Sequence, residues 1–105
     1  MDASEEEWAQ IAAIELDRAE RFLLDRDWAA LYCLNRVVRA LQSVPKRPEM
    51  RNRLETIAAR LRALDESSPS LPELFSTLQS AFVALRELLW EALAAGADST
   101  EEERE

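Results

Sequence analysis

An all-α fold, a four-helix up-down bundle, is what this sequence predicts, and three observations predict it. Ala, Leu, Glu and Arg dominate the 105 residues and glycine occurs once, a composition of strong helix formers with few β-branched residues. Apolar side chains recur at helical spacing in four segments. The breaks between them are short, and short connections favour antiparallel neighbours.

The first helix is expected to start at a capping box, Ser4 with Glu7, where Glu5, Glu6 and Glu7 place negative charge at the positive end of the helix dipole. It runs to about Leu24, with Trp8, Ile11, Ala12, Leu16, Ala19, Phe22 and Leu23 on one face. Asp25-Arg26-Asp27 breaks the pattern, and Asp27 can cap a second helix over 28–44. That helix gathers Ala30, Leu31, Leu34, Val37, Val38, Leu41 and Val44 on one side. Pro45-Lys46-Arg47-Pro48 ends it, since proline cannot continue a helix but suits the first turn of the next.

The third helix, 48–65, carries the stripe Met50, Leu54, Ile57, Ala58, Leu61 and Leu64. Asp65 to Pro69 forms a loop, and Ser70 with Glu73 repeats the capping-box spacing. The fourth helix, 71–95, is the longest. Leu71, Phe75, Leu78, Phe82, Leu85, Leu89 and Ala92 alternate steps of four and three, a heptad seam. Gly96 suits a C-terminal cap. One helical domain over 1–96 followed by an acidic disordered tail, 97–105, is the expected organisation. The alternative architecture is two helical hairpins in a TPR-like array, similar in outline to tetratricopeptide solenoids. It rests on the hairpin around Asp27-Trp28 and the proline after helix two, without a repeat of fixed period.

Charge is segregated along the chain, which carries −8 overall. Residues 1–27 hold nine acidic and three basic side chains, and residues 63–105 hold ten and two. Between them, Arg36, Arg39, Lys46, Arg47, Arg51, Arg53, Arg60 and Arg62 face only Glu49 and Glu55. The acidic excess argues against direct nucleic-acid binding. No apolar run approaches the roughly 20 residues of a membrane span. The single Cys33 has no internal disulfide partner and no charged-then-apolar leader opens the chain, so a cytoplasmic location is expected. Histidine is absent, which removes the commonest catalytic acid/base and metal ligand together.

Three features stand out as candidates for function. Glu15 falls between Trp8 and Phe22 in the middle of an apolar face, where a carboxylate needs an arginine partner or a route to water. Trp28, Tyr32, Asn35 and Arg39 recur at steps of four, three and four opposite the aliphatic stripe of helix two, the composition of a partner-binding hot spot. On helix four, Val83 and Trp90 widen the seam on one side and Leu74, Ala81 and Leu88 on the other, which predicts self-association as a homodimer. The expected function is a non-enzymatic protein-protein interaction module, such as an adaptor, small chaperone or assembly subunit, with no cofactor and no metal. Alternatives are an acidic nucleic-acid mimic that inhibits a basic nucleic-acid-binding enzyme, and a carboxylate-based metal-dependent enzyme.

Overall fold

The computed structural model describes the backbone of residues 2–43 and 48–104 and the side chains of residues 7–43 and 48–94. Within that range the chain forms α1 (Asp2–Leu24), α2 (Ala30–Gln42), α3 (Pro48–Ser67) and α4 (Leu71–Arg104), with no strand among the described residues. Val44 and the turn Pro45-Lys46-Arg47, expected to end α2, lie outside them.

The corner between α1 and α2 shows how the chain turns without glycine. The Asp27 N–H donates to the Phe22 carbonyl at 2.8 Å and the Arg26 N–H to the Leu23 carbonyl at 3.1 Å, the paired bonds of a Schellman ending. That ending needs a left-handed residue, and Arg26 supplies it at φ 56°. Asp27 then accepts the Ala29 N–H through Oδ1 at 2.9 Å, which closes the turn ahead of α2; it does not cap the helix itself, whose N-cap is Ala29 without a side-chain bond. Trp28 and Ala29 occupy that turn, and α2 begins at Ala30 instead of Trp28. At the far corner Ser68 takes the left-handed conformation at φ 50°. The Ser70–Glu73 capping box forms there: Glu73 Oε1 accepts the Ser70 N–H at 3.3 Å and the Glu73 N–H donates to Ser70 Oγ at 3.4 Å.

Other helix ends also differ from the sequence expectation. α3 runs on to Ser67, so Asp65, Glu66 and Ser67 are helical and not part of the loop expected there. α1 begins at Asp2, which puts Ser4 inside the first turn, because the acidic residues that suit a helix start extend back that far. α4 continues through Gly96 to Arg104. Gly96 is therefore an interior residue and not a cap. A helix of 34 residues spans about 51 Å, close to the 53 Å length of the whole molecule.

The helices close into a bundle. α4 touches α1, α2 and α3, while α1 and α3 sit diagonally and do not meet among the described residues. This closed packing, with α4 held from three sides, takes the place of an open TPR-like array. The inner faces meet in one core whose largest fully buried side chains are Leu34, Val37, Leu61, Leu78, Leu85 and Leu88. All of the expected α2 stripe from Ala30 to Leu41 is buried. Ile11 and Leu71, expected in the core, are instead exposed. Arg53 on α3 bonds Glu91 on α4 at 2.7 Å, which fixes their antiparallel register.

Candidate functional site

Helical geometry sets the outward face of α2. With Leu34, Val37 and Leu41 turned inward, Tyr32, Asn35 and Arg39 half a turn away face outward, and Trp28 joins them from the turn that precedes the helix; all four are exposed. Trp28 and Tyr32 keep 52% and 53% of their surface open to solvent, so neither belongs to the core. Their rings meet with centroids 5.3 Å apart and planes tilted by 55°, within the geometry favoured by aromatic pairs. Beyond them Tyr32, Asn35, Arg36, Val38, Arg39 and Gln42 line an open depression of about 400 Å³. The structure thus brings all four of the expected residues onto one surface and adds Arg36 and Gln42. Gln42 was legible as the next position after Asn35 at a seven-residue step. Arg36 sits on the shoulder of the face, toward α1.

Electrostatics divide the two arginines. Glu15 is buried at 7% exposure, and its Oε2 lies 3.4 Å from Nη1 of both Arg18 and Arg36. The arginine partner expected for a buried carboxylate is therefore present twice, once from the next turn of α1 and once across the helix pair. Glu15 Oε1 is buried without a hydrogen-bond partner, a cost that the two guanidinium groups offset. Arg39 has no carboxylate within ion-pair distance among the described residues. Its charge is open to a ligand.

Comparison with protein-family models, curated proteins and solved structures found no match. The residues themselves therefore carry the functional reading.

Cys33 is buried behind this face. Burial pushes its thiol up from the ordinary value, and the Glu15 carboxylate adds to the rise, while Arg36 and Arg18 oppose it. A thiol raised in the folded state favours folding while it stays protonated, and that contribution is lost as pH rises through the folded-state value. Native protein at mildly alkaline pH should react with a thiol-directed disulfide reagent at least roughly tenfold more slowly than urea-unfolded protein. Equal rates would show that Cys33 is neither shielded nor shifted.

The self-association candidates on α4 separate. Leu88 is 1% exposed and sealed in the bundle core, and Leu74 is partly buried against it. Packing α4 against three helices consumes that side of its wide apolar face, so these two residues do not form a free surface. Trp90 at 66% and Val83 at 36% exposure remain outside, with Leu93 beside them. Among the described residues no group of three His, Cys, Asp or Glu side chains gathers as a metal site. No helix among them is long and apolar enough to cross a membrane.

Proposed function

We propose that this protein is a non-enzymatic protein-interaction module that docks a partner on the outer face of α2. The observation that carries the reading is the pair of large aromatic side chains, each more than half exposed, at the start of a helix whose inner face is fully packed. The fold gains little from Trp28 and Tyr32 in these positions. Rings flanked by an arginine are the residue types on which binding energy concentrates when a partner seals them from water. Trp28 and Tyr32 supply apolar anchors, Arg39 a charge for a carboxylate, and Asn35 an amide that orients the contact. A matching partner presents acidic and apolar side chains together, and an adaptor or assembly subunit is the role such a surface serves.

Combined substitution of Trp28, Tyr32 and Arg39 by Ala should weaken partner binding by about 2 kcal/mol or more. Unfolding stability should stay within roughly 0.5 kcal/mol per site, as for other surface positions. The check is affinity capture from the native host, wild type beside the triple variant, with a denaturant titration of both. An unchanged set of captured proteins would reject the surface, and a large loss of stability would return these residues to the core.

A further inference from the structure

We infer that the depression on the α2 face receives a phosphate ester, carried by a phosphorylated side chain of the docking partner. The inference rests on the reading of that face as a docking surface and names the group at its centre. The lining decides the chemistry. Tyr32, Asn35, Arg36, Arg39 and Gln42 all bring N–H or O–H donors to the opening of about 400 Å³, and Val38 adds an apolar wall. Among the described residues that line it, none is acidic, although the chain as a whole carries −8. Tyr32, Asn35, Arg39 and Gln42 follow one another at steps of three, four and three, so the donors stand on successive turns of α2 over about 15 Å.

Charge and donor number favour a phosphate over a carboxylate. Arg36 and Arg39 are three residues apart on one helix, close enough for their like charges to repel. Glu15 covers Arg36 in part, through Nη1, and divides itself between Arg36 and Arg18. Arg39 has no such cover among the described residues. Nε and Nη2 of Arg36 therefore remain for a ligand, beside the whole fork of Arg39. A carboxylate brings one charge and two oxygens, which the Arg39 fork satisfies by itself. A phosphate monoester brings a charge of about −1.5 to −2 and three oxygens, enough to engage both guanidinium groups and a neighbouring amide together.

Two further features fix its place. The negative end of the helix dipole lies at Gln42, so the anion sits toward Asn35, between the two arginines. On the other side Tyr32 meets Trp28 with ring centroids 5.3 Å apart, and both rings are more than half exposed. The partner segment that fits carries a large apolar side chain beside its phosphorylated residue, one for the rings and the other for the donors.

The test titrates the full chain by calorimetry with a short synthetic peptide holding phosphoserine followed by Leu and Phe, beside the same peptide with Ser or Glu in that place. The phosphopeptide should bind roughly tenfold or more tighter than either. Its advantage should shrink below about pH 6, where the ester takes up a proton, whereas the Glu peptide keeps its charge down to about 4.3. Arg39→Gln should abolish the preference for phosphate and leave the affinity for the Ser peptide unchanged. Trp28→Ala should weaken all three peptides by the same factor. Inorganic phosphate alone, against chloride at equal ionic strength, should shift the side-chain N–H resonances of Arg39 and Asn35 and leave those of the exposed Arg62 in place. Equal affinity for the phospho and Glu peptides overturns the inference, as does a preference that survives Arg39→Gln, or failure of both phosphopeptide and phosphate ion to bind. Peptides that bind without regard to phosphate but are lost on Trp28→Ala reject the phosphate site and leave the docking surface standing.

Discussion

Leu85→Ala should lower the free energy of unfolding by about 2–5 kcal/mol, measured by urea denaturation. Leu85 has no exposed surface and sits on α4, which touches all three other helices. A cavity there is bordered by several elements that cannot all move inward together, so the upper half of the range is expected. Trp90→Ala is the control on the same helix. Its side chain is 66% exposed, and its loss should change stability by no more than roughly 0.5 kcal/mol. Comparable losses at the two positions would mean that α4 is not seated as described.

Removing both arginines that face Glu15 should be nearly as costly. Arg36→Ala alone leaves Arg18 in place, and with Arg36 largely exposed its loss should cost about 1–3 kcal/mol, below the range for a fully buried pair. Arg18→Ala with Arg36→Ala leaves the buried carboxylate without a cation and should cost about 3–5 kcal/mol. Glu15→Leu, in contrast, should leave stability unchanged or raise it, because an apolar side chain needs no partner there. Thermal unfolding of the three variants gives the ranking. A Glu15→Leu protein less stable than the double arginine variant would mean that the ion pair supplies net stability to the α1–α2 contact.

What could be read from the chain alone follows from what is local. The stripe from Ala30 to Leu41 was legible because every member lies within one helix and repeats at its period. Ile11 misled because it stands at the rim of the α1 stripe: Ala12, Leu16 and Ala19 are buried and Trp8, nearer the helix start, packs on the core, while Ile11 is 46% exposed. Periodicity gives the direction of the face but not how far round the helix its neighbours reach. Leu71 is exposed because it opens α4 at a corner.

The residues of the proposed binding surface were legible as a row, not as an exposed row. Spacing puts Trp28 and Tyr32 opposite the aliphatic stripe, whereas their exposure depends on no other helix lying against that side. The width of the apolar face on α4 was visible too, yet a helix held from three sides and a helix pairing with another chain have the same pattern. Leu88 is resolved by the bundle, and Trp90 is left outside it. An arginine for Glu15 could be expected from charge, but Arg36 could not be singled out before the register of α1 on α2 was known.

The two left-handed corners at Arg26 and Ser68 bear on the unfolded chain as much as on the folded one. Each residue with a Cβ in that conformation costs about 1–2 kcal/mol, which glycine would avoid. Glycine would also give the unfolded chain more conformations to lose, a penalty of about 0.4–1 kcal/mol. The two effects oppose each other, and the second offsets about half of the first, so Ser68→Gly should leave stability unchanged or raise it by about 1 kcal/mol. At Arg26 the balance shifts toward the native residue, because its guanidinium lies over the Phe75 ring, 5.9 Å from the centroid, and ties the α1–α2 corner to the start of α4. A chain with almost no glycine thus holds its turns by limiting the freedom of the denatured ensemble, and of its two corners the one at Ser68 is where sequence can drift at least cost.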